Sequence, residues 1–360
     1  MDANADDPLS GLRPRVQQVL DDFLSRQRRQ LAEIGPELTP LTEIAADLLR
    51  GGKRLRGAFC YWGWRGAGGP DAAPIVAVGA ALELFQASAL VHDDLIDGSD
   101  TRRGLPAAHR RFEALHGGSA WCGDPSRFGA AGAILLGDLL LGWSDELLTG
   151  AGLGDDALRR ARPMYEQMRT EVGAGQYLDV LAQAIGTAPA EEMVDRARRV
   201  IRYKAARYSV ERPLLLGGAA AGANQELLSA YSAYGLALGE AFQLRDDVLG
   251  VFGDPEQTGK PAGDDLREGK QTLLIAFAIE RADVVARDAV RRLLGDPALD
   301  PAGVDRLRTV IVETGALARV EGVVDELVTT ARTALDKAPV DEHARTALDL
   351  LIEAATTRIT

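Results

Sequence analysis

The sequence predicts an all-α protein, and three observations carry that reading. Apolar residues recur at spacings of three and four through nearly every segment, the breaks fall at Gly and Pro, and runs of alternating β-branched residues that would mark strands are lacking. At 360 residues, 46% of them hydrophobic and 26% charged, the chain is long enough for one large domain or two modest ones. No Pro- or Ser-rich linker divides it, so a single domain over residues 1–360 is expected.

Each element follows in order. MDANADDPLSG is acidic, lacks the basic and apolar parts of a signal peptide, and reads as a frayed start to about residue 12. VQQVLDDFLSRQRRQL and LTEIAADLLR give the first helices, and Arg65 to Asp71 a loop. Ala72 to Val91 is apolar nearly all round and about as long as a membrane span. It carries Pro74, Glu83 and Gln86, however, and the cost of a mid-span carboxylate makes it a buried core helix rather than an integral membrane segment. Leu105 to Phe128 reads as a loop, and Ala130 to Leu148 as a second helix enclosed by others. Beyond a loop at Thr149 to Asp155, helical runs continue through MVDRARRVIRYKAARYSV, LLSAYSAYGLALGEAFQLRDDVLGVF and TLLIAFAIERA, with loops at Phe252 to Gln271 and Leu294 to Gly303.

With 41 basic against 53 acidic residues the net charge is −12, which argues against a nucleic-acid or anionic-membrane partner. An anionic ligand would have to meet local basic clusters. Cys60 and Cys122 stand outside CxxC or Cys/His ligand spacing, so neither a disulfide framework nor a zinc site is expected, and a reducing cytoplasm fits.

Two acidic clusters carry the chemistry. LVHDDLIDG places Asp93, Asp94 and Asp97 at the end of the long apolar helix, where Gly98 reads as a stop. Asp93 and Asp97 are four apart and repel by roughly 0.2–0.5 kcal/mol on a helix, at the dipole end that prefers cations. FQLRDDVLGVFGD repeats the arrangement with Asp246 and Asp247. Magnesium supplies the missing charge most simply, since it takes carboxylate oxygens and shares itself with substrate phosphates. Basic residues stand where phosphates need them: Lys53, Arg54 and Arg56 in GGKRLRG, Arg102 and Arg103 in SDTRRG, and Lys260 and Lys270 in GKPAGDDLREGK. GGKRLRG lacks the Ser/Thr and glycine spacing of a P-loop, and GAGGP lacks a full GxGxxG. GxSxG is not found, and His92, His109, His116 and His343 show no HExxH spacing; His92 and His109 read as structural.

The set GGKRLRG, ELFQASALVHDDLIDGSDTRRG, GQYLD, YKAARYSVERP and GEAFQLRDDVLGVFGDPEQTGK, in this order between residues 40 and 275, resembles the trans-isoprenyl diphosphate synthases of the polyprenyl synthetase family. The resemblance, strongest to bacterial geranylgeranyl diphosphate synthases, implies the isoprenoid synthase fold, a large helical bundle around a deep central cavity, as a homodimer. It implies Mg2+, about three ions per site, held by Asp93, Asp94, Asp97, Asp246 and Asp247. Lys53, Arg56, Arg103 and Gln86 would bind isopentenyl diphosphate. Arg102, Lys204, Gln243, Lys260 and Lys270 would clamp the allylic diphosphate, with Gln176 and Asp179 nearby. Ser88 and Ala89 are small where an aromatic residue stops growth at C15, and Phe85 forms the next floor, which implies a C20 product. Three positions depart from the family pattern: Gly250 where a third Asp is common, Gln86 for His, and Ala205 for Thr. A class I terpene cyclase fits less well, because its second metal motif is an Asn/Ser/Glu set, and a noncatalytic synthase subunit would have lost the paired aspartates.

Overall fold

Gly and Pro punctuate the chain much as expected. The computed structural model describes residues 7–186, 188–253 and 263–356. Helix α1 spans Leu12–Ile34 and stops at Gly35; α2 spans Thr39–Leu48 and α3 Leu55–Gly66. Helix α4, Ala73–Asp97, begins with a proline in its first turn and ends at Gly98, whose φ of 68° is the left-handed stop that glycine allows. A two-residue hairpin follows, β1 Thr101–Arg102 against β2 Leu105–Pro106. Next come α5 Ala108–Gly118, α6 Pro125–Thr149, α7 Asp155–Ile185 and α8 Ala190–Val200. A π-helix, Ile201–Glu211, leads into α9 Arg212–Ala221 and α10 Gln225–Phe252. Helices Asp264–Arg267, Leu273–Arg281, Val284–Leu293, Pro301–Glu313, Ala316–Lys337 and Glu342–Thr356 complete the order. The all-α reading holds, and among the described residues the strands are confined to that hairpin.

Four details depart from the sequence reading. Of the start read as frayed, residues 1–6 lie outside the described residues, while Leu9 and Leu12 are buried at 1% and 4% exposure, so the fraying does not reach them. The loop expected over 105–128 contains α5, whose sparse apolar positions hid it; Phe112 and His116 are its buried face. Helix α6 is not enclosed, for Ile134 and Leu135 are 48% and 60% exposed. The π-helix has no sequence signature; its register shows in the Arg212 N–H, which donates to the Arg207 carbonyl five residues back.

The contacts form two compact units, each assembled from three stretches. The first comprises Met1–Arg162, Pro213–Asn224 and Val340–Leu350. Helix α4 is its core: long and apolar enough to cross a membrane, it buries 72% of its apolar window within the protein. Side chains such as Leu82 and Leu84 there are each worth about 1.5–3 kcal/mol of burial. It lies against α6 through two buried hydroxyls: Ser88 Oγ donates to the Gly137 carbonyl at 2.8 Å, and Ser144 Oγ to the Ala81 carbonyl at 2.6 Å. The second unit comprises Pro163–Arg212, Gln225–Pro339 and Leu351–Thr360. Its core joins Leu244, Val248, Phe277, Leu307, Ile311 and Val320, and α10 packs between the π-helix and Ala316–Lys337.

Candidate active site

The first unit gathers one acidic and one basic cluster. Asp93 and Asp97 are half-buried at the end of α4, whereas Asp94 is 1% exposed. Asp94 Oδ1 accepts from Arg102 Nε at 2.9 Å and also from Nη2. That Nη2 lies 3.9 Å from Asp93. The pairing is set by the hairpin, whose turn residues Arg103 and Gly104 both have positive φ, 53° and 76°, matching the right-handed twist of the strands. Asp93, Asp94 and Asp97 together offer hard carboxylate oxygens within one turn of helix, the donor type that Mg2+ takes.

The basic side is built around a buried ion pair. Arg54, 4% exposed, faces Glu83, 5% exposed, with Nη1 3.2 Å from Oε2. Its Nη2 donates to Gln17 Oε1 at 2.6 Å and to the Leu49 carbonyl. Arg54 is the N-cap of α3, held at a left-handed φ of 57°, and its own side chain caps nothing. Glu83 serves instead, its Oε1 3.4 Å from the Gly57 N–H in the first turn. On either side of Arg54 stand exposed Lys53 and half-buried Arg56. The Arg103 head, hydrogen-bonded to the Leu48 carbonyl at 3.3 Å, has its pKa lowered, chiefly by desolvation; Glu83 opposes this, and Arg54, Arg102 and Arg56 reinforce it. Four arginines therefore share one region with one buried carboxylate. Gln86 is half-buried on α4. His92 Nε2 is 3.3 Å from the Ile134 carbonyl and His109 is buried, in keeping with structural roles.

Of the chain-length residues, Phe85 is 4% exposed, Ser88 is tied to Gly137, and Ala89 is half-buried. At about 100° per residue, Ala81, Ser88 and His92 form the line facing α6, with Phe85 about 40°, Ala89 about 80° and Asp93 about 120° from it. Ser88 thus belongs to the helix contact, and Phe85 flanks it.

The second unit holds the other clusters. Lys204, on the π-helix, donates to Asp179 Oδ2 on α7 at 2.6 Å, with half-buried Gln176 one turn earlier. The helices can approach there because Gly175 faces the Lys204 backbone, where a Cβ would lie 2.3 Å from its nitrogen. Below them Arg212 grips Glu171 through two hydrogen bonds, at 2.7 and 2.8 Å, and Arg207 adds a third. Burial opposes ionisation of Glu171, yet the two arginines hold its pKa below the ordinary value. Ala205 is buried within the π-helix.

At the end of α10, Asp246 is exposed and Asp247 buried, with Gln243 Nε2 donating to Asp247 Oδ1 at 2.8 Å. Burial pushes the Asp247 carboxyl up to about 8; the Gln243 bond and Lys270 oppose this, and Asp265 and Asp246 add to it. A carboxylate so costly to ionise alone is one that a cation would stabilise. Lys270 Nζ lies 3.1 Å from Asp265 and 2.7 Å from Glu268. Lys260 lies outside the described residues. Asp265 and Glu83 escaped the sequence reading. The first sits inside GKPAGDDLREGK, where the lysines give the stronger signal, and the second within the apolar run of α4.

The polyprenyl synthetase family model matches residues 39–311. A geranylfarnesyl diphosphate synthase from Aeropyrum pernix is 31% identical over 86% of this chain and 91% of its own. A geranylgeranyl diphosphate synthase from Mycobacterium tuberculosis is 31% identical over 80% and 75%. Among solved structures, geranylgeranyl pyrophosphate synthase from Corynebacterium glutamicum, complexed with isoprenyl diphosphate and magnesium, superposes with a TM-score of 0.93 at 39% identity, covering 98% of this chain and 99% of that one. The motifs, the helical architecture and these likenesses agree, and the chain belongs to the polyprenyl synthetase family.

Proposed function

We propose that this chain is a magnesium-dependent prenyltransferase that condenses isopentenyl diphosphate head to tail with an allylic diphosphate, giving chiefly geranylgeranyl diphosphate, C20. The observation that carries this reading is that each acidic helix end has a basic side chain beside it: Arg102 at Asp93 and Asp94 in the first unit, and Lys270 near Asp247 in the second. The complex of the Corynebacterium enzyme with isoprenyl diphosphate and magnesium supports it. Asp93, Asp94, Asp97, Asp246 and Asp247 would hold Mg2+, which when bound neutralises the departing diphosphate.

The remaining roles belong to the chain. Lys204, Lys270, Lys260, Gln243 and Arg102 hold the allylic diphosphate, with Asp179 and Gln176 fixing Lys204. Lys53, Arg56, Arg103 and Gln86 hold isopentenyl diphosphate. Cleavage of the allylic C–O bond gives an allylic cation, the isopentenyl double bond attacks it to form the new C–C bond, and a proton passes to the released diphosphate. Preplaced positive charge meets negative charge as it develops, and apolar α4 walls water away from the cation.

Small Ala89 admits a chain beyond C15, and buried Phe85 supports a floor at C20. A longer product is the second reading, because Phe85 flanks the α6 contact. Each unit also leaves an apolar helix stripe exposed, Phe128, Ile134 and Leu135 on α6 and Tyr177, Val180, Leu181 and Ile185 on α7, which supports a homodimer. Free Cys60 and Cys122 support a cytoplasmic setting. The kinetic test separates the pockets. Arg56→Ala should raise the KM for isopentenyl diphosphate with kcat little changed, and Lys204→Ala should lower kcat. The reverse pattern would mean the two diphosphates occupy the opposite pockets.

A further inference from the structure

Glu171, Gly175 and Asp179 recur at intervals of four on α7 and so form one stripe along that helix. The π-helix lies against the stripe, and each of the three residues meets a different part of it. Asp179 accepts from Lys204 Nζ at 2.6 Å. Gly175 leaves room for the Lys204 backbone, since a Cβ there would lie 2.3 Å from its nitrogen. Glu171 takes both Arg207 and Arg212, the first through Nη1 and the second through Nε and Nη2 at 2.8 and 2.7 Å. Helix α10 closes another side of the π-helix. A Cβ on Gly239 would lie 2.6 Å from Ala206 Cα, and one on Gly235 would lie 2.7 Å from Glu211 Cα.

Arg207 and Arg212 are five residues apart. On an α-helix, residues at that interval point about 140° from one another, whereas the wider turn of a π-helix, bonded from i to i+5, brings them back towards one face. The Arg212 N–H donates to the Arg207 carbonyl in that register, and the Glu171 carboxylate, 8% exposed, joins the same two side chains. A π turn holds one residue more than an α turn. Its loss would rotate the Lys204 end by about 100° relative to Arg212 and carry Lys204 away from Asp179.

We propose that Glu171 is a positioning residue for the allylic diphosphate site: by joining Arg207 to Arg212 it holds the π register, and that register aims Lys204. The inference rests on the reading of Lys204 as a diphosphate ligand given above. All the groups involved belong to the second unit.

The test is a double-mutant cycle in kcat, with isopentenyl diphosphate, farnesyl diphosphate and Mg2+ as the assay and melting curves beside it. Glu171→Gln keeps the size and removes the charge. Its kcat should fall about 10- to 100-fold, the scale of a misplacement near 1 Å, with KM for isopentenyl diphosphate within about twofold of wild type. Combined with Lys204→Ala, it should lower kcat no further than Lys204→Ala alone, because a misdirected lysine has nothing more to lose. Arg207→Gln leaves Arg212 on Glu171 and tests the same link with less damage to folding; if Glu171→Gln does not fold, this second cycle decides alone. Arg207→Gln should show the same non-additivity with Lys204→Ala, and Arg207→Lys, which returns a charge to Glu171, should recover most of the lost kcat. Losses that multiply with that of Lys204→Ala would mark Glu171 as a structural residue only and overturn the proposal. Wild-type kcat in Glu171→Gln or Arg207→Gln, beside a loss in Lys204→Ala, would overturn it and leave the diphosphate reading standing. Unchanged kcat in Lys204→Ala would remove both.

Discussion

Glu83 and Arg54 offer the most quantitative handle on the first unit. Glu83→Leu would leave a guanidinium of 4% exposure without the carboxylate 3.2 Å away, and would remove the acceptor of the Gly57 N–H. Removing one partner of a buried pair costs about 3–5 kcal/mol. Arg54 keeps Gln17 and the Leu49 carbonyl, so the lower end, about 3 kcal/mol, is expected. Arg54→Met alone strands the Glu83 carboxylate and should cost a similar amount. Together, Arg54→Met and Glu83→Leu replace the pair with apolar volume and should cost less than either single change, about 1 kcal/mol or below. Urea unfolding followed by tryptophan fluorescence is the assay, and it reports this unit alone because Trp62, Trp64, Trp121 and Trp143 all belong to it. Singles within about 0.5 kcal/mol of wild type, the range of ordinary surface changes, or a double variant as damaged as the sum of the singles, would refute the account. Arg54→Met should also raise the KM for isopentenyl diphosphate, because Lys53 and Arg56 flank it.

Three further outcomes are expected. Asp93→Ala should abolish turnover by orders of magnitude with little change in melting, since it removes a repulsion from Asp97, whereas Asp94→Ala should lower the melting temperature as well by stranding Arg102; equal melting of the two variants would remove the distinction. Ala89→Phe should shorten the product towards C15 and Phe85→Ala should lengthen it, as read by chromatography of the dephosphorylated products; an unchanged product in both would take chain length away from α4. Glu171 ionises more readily folded than unfolded, so its contribution is present at neutral pH and is lost as pH falls below about 4.3, the unfolded value. Acid titration of stability should therefore be steeper in wild type than in Glu171→Gln, and parallel curves would contradict the network with Arg207 and Arg212.

The sequence was most legible where local chemistry repeats a pattern. The stop at Gly98, the carboxylates of LVHDDLIDG and FQLRDDVLG, and the buried character of α4 all follow from spacing within one helix. What it hid depends on contacts distant in sequence. Glu83 meets Arg54 across 29 residues, and that pairing turns the middle of GGKRLRG into an anchor rather than a phosphate ligand. Asp94 looks identical to Asp93 in sequence, but the hairpin delivers Arg102 closer to Asp94, at 2.9 Å, than to Asp93, at 3.9 Å. Asp265 stands against Gly250, where a Cβ would lie 1.9 Å from its Oδ2, which no local pattern reveals. The π-helix depends on packing around Gly175 and Glu171, and α5 on a buried face of few residues, so neither left a periodic signal.

Mixing the purified chain with isopentenyl diphosphate, each allylic diphosphate in turn and Mg2+, and resolving the products by length, tests the central claim most directly. The account predicts condensation that requires the metal, stops chiefly at C20, and is lost in Asp93→Ala and Asp246→Ala. Failure to consume isopentenyl diphosphate with any allylic partner, or unchanged turnover after chelation of divalent cations, would contradict it.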